Sequence, residues 1–341
     1  ENILGLQCHF DKTMLFVETA SQDLVPIVHE LFLAEVSCHA FRSDKWQDMA
    51  VIAIVPPASG LGIRGTAVLG AESAGREGWF ILLQGLSTAY AVMDVLSLRG
   101  CLRNDLEASF KMADVDQIIG EGAYATVHHM QGRDGRPVAV KNMNHTTDFE
   151  SIAREASALV EVRGEHIVGF RALFWRQEAD QVRFSMVFDL ATCGDLLFKV
   201  LQSGILPEAA ARSIFVGILR GLRRIHECSI VHRDIKTENI LLNPGDTPVV
   251  ADFGLACKTS DAQQMSRRCG SAGFVAPEVC LGTPYDCKVD TFGAGVILFF
   301  LLSKELPFSS PDRDSAATMR KTVKCSLHLQ RPPFNELSSR A

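Results

Sequence analysis

Along the first hundred residues, short apolar runs alternate with polar breaks. "MLFV" (14–17), "LVPIVHELFLAEV" (24–36), "MAVIAIV" (49–55), "TAVLG" (66–70) and "WFILL" (79–83) have the lengths of strands and short helices. "PPASGLGIRG" (56–65) is a turn-rich connector between two of them. Residues 1–110 thus read as a small mixed α/β region that carries no motif. The more polar "CLRNDLEASFKMADVDQ" (101–117) contains the expected boundary.

The pattern sharpens from about 116. "DQIIGEGAYATVHHM" and "GRPVAVKNM" predict three strands, the first two joined by a glycine turn and the last two by "QGRDGRP". The spacing predicts a helix over about 148–162 and a strand over "VRFSMVFDL" (182–190). Helices dominate after that. "PEAAARSIFVGILRGLRRIHE" (207–227) has Pro207 in its first turn, and "VDTFGAGVILFFLLS" (289–303) is apolar nearly all round and so buried. A strand-rich part followed by a helix-rich part implies two lobes.

The totals narrow the class. With 341 residues, 47% hydrophobic and 22% charged, the chain can bury a sizeable core. A net charge of −6 gives no reason to expect nucleic acid or an anionic membrane. Ten cysteines without a CxxC pair suit reduced thiols and a cytoplasmic setting. "WFILLQGLSTAYAVMDVLSL" (79–98) is long enough to span a bilayer, but Gln84 and Asp94 favour a strand followed by a buried helix. The chain begins at Glu1 without a signal segment and reads as a fragment or a processed form.

The chemistry is concentrated in "IVHRDIKTENILLNPGDTPVVADFGLA" (230–256), where ionisable residues crowd between apolar runs. Ile240–Leu242 and Val249–Ala251 predict a hairpin in which residue 240 faces residue 251, bringing Asn239 beside Asp252. A carboxylate and an amide oxygen at one hairpin end suit Mg²⁺. Asp234 lies just upstream, near a proton to be accepted, with Lys236 as a positive charge among the acids. The competing explanation is a loop whose charges satisfy one another. "GEGAYA" (120–125) leads into a strand, not a helix, so it is not a dinucleotide fingerprint. It is either a hairpin laid over phosphates or an ordinary tight turn. In "VAVK" (138–141), alternation puts Ala139 and Lys141 on one face. A flat ring over Ala139 with anionic oxygens at Lys141 would explain that face, as would an edge lysine. Glu155 shares the apolar face of its helix with Ile152 and Leu159 and needs a partner, for which Lys141 is a candidate.

Taken in order, "GEGAYATV", "VAVK", an acid in the next helix, "HRDIKTEN", "DFG" and "APE" resemble a eukaryotic protein kinase of serine/threonine type. The helical part is most similar to the calmodulin-dependent-kinase-like group. The resemblance implies an α+β, two-lobed protein kinase fold over 114–341, with an antiparallel-sheet N-lobe (114–190) and a mainly helical C-lobe (191–341). It implies transfer of the ATP γ-phosphate to protein Ser/Thr hydroxyls, with a nucleotide-binding scaffold lacking transfer as the alternative. ATP would meet Ile119, Gly120, Glu121, Gly122, Ala123, Tyr124, Val127, Ala139, Lys141, Phe188, Asp189, Ala191, Asp195 and Leu241. Lys141 would be oriented by Glu155, Asp234 would be the base, Lys236 would stabilise the transferring phosphate, and Asn239 and Asp252 would hold magnesium.

The resemblance also implies regulation and substrate choice. Arg233 would answer to phosphate on the segment between "DFG" and "APE", placed there by an upstream activating kinase, with Ser266 the favoured acceptor. Ser271 stands where the family has a threonine that contacts the catalytic loop. Asp195 and Glu238 would face the peptide substrate. Three departures stand out. Ala125 replaces a loop glycine. Phe292 and Gly293 replace the usual Trp and Ser, which predicts looser packing near the activation segment. The chain stops at "NELSSRA", where the family's last helices would begin, so no segment supplies an arginine for Glu278.

Overall fold

The computed structural model describes residues 118–122, 125–144, 147, 149–178, 181–310, 312 and 314–338, together with residue 106 and nine earlier strands. The first seven are β1 (Asn2–Ile3), β2 (Leu6–Asp11), β3 (Met14–Thr19), β4 (Val36–His39), β5 (Ala50–Val55), β6 (Gly65–Ala71) and β7 (Trp79–Leu86). They form one sheet in the order β1-β2-β3-β5-β6-β7-β4, antiparallel at each pairing. The apolar runs at 14–17, 66–70 and 79–83 fall on these strands, as do residues 50–55 of the run at 49–55, and the turn-rich connector joins β5 to β6. The buried helix expected at about 87–98 lies outside the described residues. Among the described residues no helix is long and apolar enough to cross a membrane.

A second sheet combines β8 (Leu102–Arg103), β9 (Phe110–Met112), β10 (Ile118–Glu121), β11 (Ala125–Gly132), β12 (Pro137–Met143), β13 (Phe170–Glu178) and β14 (Gln181–Asp189). Its order is β10-β11-β12-β14-β13-β8, with β9 against β11 and β8 parallel to β13. The sheet therefore takes in residues upstream of 114. The β11–β12 turn is built as "QGRDGRP" predicts. Gly135 takes a left-handed φ of 75°, Gly132 N–H donates to Arg136 O, and Asp134 Oδ1 accepts from Arg136 N.

The helices are α1 (Phe149–Glu161), α2 (Leu196–Ser203), α3 (Glu208–Glu227), α4 (Ala262–Met265), α5 (Pro277–Leu281), α6 (Lys288–Ser303) and α7 (Ser315–Lys324). Two short ladders lie among them. β15 (Ile230–Val231) pairs with β18 (Cys257–Lys258), and β16 (Ile240–Asn243) with β17 (Thr247–Val250). α3 follows its 3.6-residue pattern, burying Ala211, Ile214, Ile218, Leu222 and Ile225. Each large aliphatic side chain so buried contributes about 1.5–3 kcal/mol.

The hairpin register differs by one from the sequence expectation. Ile240 pairs with Val250, not residue 251. Gly245 and Asp246 both have left-handed φ (75° and 57°), and residues 244–246 close a three-residue loop, which shifts the pairing. Asn239 consequently faces Ala251, whose N–H donates to Asn239 O at 2.9 Å, and Asp252 follows one residue on.

The chain divides into two compact units, residues 1–128 with 140–153 and 172–186, and residues 129–139 with 154–171 and 187–341. Within the second, α3 lies against the β16–β17 hairpin through two glycines. A Cβ on Gly217 would stand 2.5 Å from Pro248 Cγ, and one on Gly221 2.8 Å from His166 O. His166 fills the same place, its Nδ1 bonded to Pro248 O. The packing decides what alanine does at two helical glycines. At Gly295 of α6 a Cβ meets nothing within 4 Å. Gly295→Ala should stabilise by about 0.5–1 kcal/mol through backbone entropy. Gly217→Ala gains the same term but drives a methyl into a rigid proline ring, and should lose about 1–3 kcal/mol from overpacking. Chemical denaturation of both variants checks the opposite signs.

Candidate active site

The 232–239 loop is held from below by one buried acid. Asp290, 1% exposed in α6, accepts from His232 N at 2.9 Å, Arg233 N at 2.8 Å and His226 Nε2 at 2.8 Å. These bonds hold Arg233 at a left-handed φ of 68°, a conformation uncommon for any residue other than glycine. His232 is fully buried. It accepts from Asp234 N at Nδ1, so Nε2 carries the proton and donates to Ala251 O at 3.0 Å. Its ring meets Phe253 edge-on at 4.8 Å.

The Asp234 carboxylate sits at the top of this loop, 8% exposed, with both oxygens engaged. Oδ1 accepts from Ser271 N (3.0 Å) and Ser271 Oγ (2.8 Å). Oδ2 accepts from Asn239 Nδ2 (3.0 Å) and Lys236 Nζ (2.9 Å). Lys236 Nζ also donates to Ser271 Oγ at 3.0 Å. The serine hydroxyl thus gives to the acid and receives from the lysine, as one donor and two lone pairs allow. Asn239 spends Nδ2 on Asp234 Oδ2 and Asp234 O, which leaves its amide oxygen on the other side. That oxygen and the Asp252 carboxylate are hard donors of the kind a small divalent cation takes. Asp252, like Arg233, has left-handed φ (60°).

Glu155 is 3% exposed and shares the buried face of α1 with Ile152 and Leu159. A Cβ on Gly254 would lie 3.5 Å from Asp252 Oδ1 and 3.6 Å from Glu155 Oε2, so the two carboxylates flank that glycine. The end of α1 is satisfied by Arg224, whose Nη2 donates to Glu161 O at 2.8 Å and Nε to Arg163 O at 3.2 Å.

The remaining expected residues fall as follows. In the first unit, Gly120 pairs with Val127 and Glu121 with Thr126; Ile119 is 45% exposed. Ala123 and Tyr124 lie outside the described residues. In β12, Val138 and Val140 are fully buried, whereas Ala139 and Lys141 are half-buried, matching the period-two reading. Phe188 is buried against Phe170, with ring centroids 5.7 Å apart. Asp189 is exposed and bonds Arg171 Nε at 2.6 Å; Ala191 follows, half-buried. Asp195 caps α2, accepting from Phe198 N at 2.7 Å, and bridges to Leu241 in the backbone. Glu238 is exposed and accepts from Thr237 Oγ1. Ser266 donates its hydroxyl to Gln263 O at 2.8 Å. Arg233 spends its guanidinium on Leu255 O, Gln264 and Tyr285.

Sequence reasoning missed Asp290, although an acid in an otherwise apolar helix was the available signal. It also misjudged Gly293. A Cβ there would stand 2.8 Å from Ile235 O, so the helix abuts the 232–239 loop closely and the packing is tight, not loosened. Phe292 stacks on Phe308 at 5.8 Å and packs against Val231, Ala276, Val279 and Val289. Burial pushes the Cys257 thiol up to about 11, which keeps it protonated near neutral pH. Among the described residues the cysteines are free, and no group of three or more His, Cys, Asp or Glu side chains is placed to hold a metal.

A family model described as "Protein kinase domain" matches residues 113–341. Human "Serine/threonine-protein kinase H1" is 34% identical over 208 residues, 59% of this chain and 48% of the relative. Mouse "Calcium/calmodulin-dependent protein kinase type IV" is 30% identical over 232 residues, 67% of this chain and 48% of the relative. "CBL-interacting protein kinase 4" of Oryza sativa subsp. japonica is 32% identical over 243 residues, 67% and 52% respectively. The chain spans about half the length of the curated relatives it matches.

The Asp290 anchor yields a direct test. Asp290→Ala leaves two buried backbone N–H groups without an acceptor, at about 1–3 kcal/mol each. Asp290→Asn keeps one acceptor oxygen and should lose less. Thermal denaturation of the two variants should rank them in that order below the parent; equal stability of all three would refute the anchor.

Proposed function

The chain belongs to the protein kinase family, of the serine/threonine, calmodulin-dependent-kinase-like group with its α+β, two-lobed fold, and we propose that its domain transfers the γ-phosphate of ATP to Ser/Thr hydroxyls of protein substrates. Kinase domains use ATP and a divalent cation. The observation that carries the proposal is the Asp234 carboxylate, fixed by Ser271, Asn239 and Lys236 on a loop anchored by Asp290.

In this reading Asp234 accepts the proton of the substrate hydroxyl as its oxygen bonds to phosphorus and the bond to the departing nucleoside diphosphate breaks. Lys236 lies 2.9 Å from Asp234 Oδ2 and places positive charge where the transferring group gains negative charge. Asn239 and Asp252 are the residues that would hold magnesium, which when bound neutralises phosphate charge. By the family resemblance, Lys141 would hold the α- and β-phosphates and Glu155 would orient it. By the same resemblance, the backbone of Gly120 and Gly122 would cover them, and Val127, Ala139 and Leu241 would take the adenine.

Substrate choice follows from two acids. Asp195 and Glu238 each retain acceptor capacity beyond the bonds described, because a carboxylate has about four lone-pair sites. They favour an arginine about three residues before the target, through charge-assisted hydrogen bonds. Phe300 is buried in α6 and offers no acid for a second arginine.

Two experiments check these assignments. Asp234→Asn should lower the phosphotransfer kcat by about 10²–10⁴ while nucleotide affinity holds, whereas Asp252→Asn should remove Mg²⁺-dependent nucleotide binding. Near-parental turnover of Asp234→Asn would exclude it as the base. On a peptide array, sequences with the upstream arginine should outperform their alanine counterparts, and Glu238→Ala should reduce that preference by about 1–3 kcal/mol. Equal phosphorylation of both peptide sets by the parent would sink the acidic-pocket assignment.

A further inference from the structure

The guanidinium of Arg233 is 8% exposed as a residue and already has partners on every nitrogen. Nε donates to Leu255 O at 2.7 Å, Nη1 to Gln264 O and to the Tyr285 hydroxyl at 3.2 Å, and Nη2 to Gln264 Oε1 at 3.4 Å. Gln264 is itself 8% exposed, and its Oε1 also accepts from Arg267 Nη1 at 3.1 Å. One neutral amide oxygen therefore lies between two guanidinium groups. Its position is set from both sides. Asp261 caps α4 by accepting from Gln264 N at 3.0 Å, and Tyr285 donates to Arg267 O at 2.8 Å.

We propose that Gln264 is a positioning residue for catalysis. Its side-chain and backbone oxygens clasp Arg233 and thereby order the 255–271 segment without phosphate on Thr259, Ser260 or Ser266. A buried guanidinium must have acceptors, because leaving its donors unpaired is costly. Gln264, Leu255 and Tyr285 supply them from neutral groups. The consequence reaches the reaction through the chain. Arg233 adjoins Asp234, and the far end of the same segment carries Ser271, which donates twice to Asp234 Oδ1. Ser266 is turned to Gln263 O, while Arg233 is already engaged by Gln264.

The proposal rests on the kinase reading, and its test separates the two. The whole chain is treated with a protein phosphatase and repurified, and mass spectrometry confirms an unmodified 255–274 segment. Its kcat and KM for ATP are compared with those of untreated protein and of Gln264→Ala and Gln264→Glu, alongside amide hydrogen exchange of residues 255–271. Dephosphorylated protein should keep its kcat. Gln264→Ala should lose about tenfold in kcat at unchanged KM for ATP, with faster exchange, the expected loss of one hydrogen bond to a charged group. Gln264→Glu keeps an acceptor between the two guanidinium groups and should retain kcat, which decides the matter even if the alanine variant fails to fold. Inactivation by the phosphatase, or parental kcat and exchange in Gln264→Ala, would overturn the proposal, as would tenfold loss in Gln264→Glu. If no form transfers phosphate, the kinase reading fails by itself. Exchange then decides the clasp, with faster exchange in Gln264→Ala supporting it and equal exchange refuting it.

Discussion

Asp290 places a negative charge inside a helix whose neighbours are apolar, and removing a carboxylate from water costs several kcal/mol even after relaxation. Three donors offset that cost, two of them backbone N–H groups of His232 and Arg233. Hydrogen bonds to a charged group contribute about 1.5–3 kcal/mol each, so three are enough to hold both the acid and the left-handed Arg233 in place. Three residues further along the same helix, Gly293 gives Ile235 room to lie against it. One helix thus fixes the loop on either side of Asp234, by a charge on one side and by the absence of a side chain on the other.

The acid so positioned is joined to the segment that follows the hairpin. Ser271 contacts Asp234 through its N–H and its hydroxyl, and accepts from Lys236. If the segment moved away, Asp234 would lose two of its four bonds and Lys236 one of its two. Order of the segment and alignment of the carboxylate are one condition. Arg233 adds a second tie between the same two pieces of chain, which is why a neutral residue such as Gln264 can matter to a reaction it does not touch.

Much of this was legible in the sequence, and the misses have physical causes. The shared face of Ile152, Glu155 and Leu159 in α1 and the alternation in β12 reflect burial on one side, and both formed as read. The hairpin was legible but its register was not, because two consecutive left-handed residues shortened the loop by one. Asp290 escaped notice because an acid near a helix start has an ordinary explanation in the helix dipole. Only the structure shows it turned toward backbone amides. Gly293 was misread for the reverse reason, since a glycine in a helix signals loss of packing unless a neighbour's backbone occupies the space. No sequence pattern marked Gln264, on whose Oε1 two guanidinium groups converge.

The polar network and the apolar core carry different burdens. The Lys236–Asp234 pair is partly buried, with the side chains 21% and 9% exposed. Such a pair roughly breaks even in stability, because desolvation cancels most of the attraction. In the proposed reaction its worth lies in orientation, since charges already fixed in place need no reorganisation when the reacting groups gain charge. Stability comes instead from faces such as Ile214, Ile218, Leu222 and Ile225 on α3, each burying aliphatic surface at about 1.5–3 kcal/mol. Asp290 belongs to both categories, because two of its three partners are buried backbone N–H groups. Loss of Lys236 or Ser271 removes alignment and leaves the core untouched, while loss of Asp290 removes both.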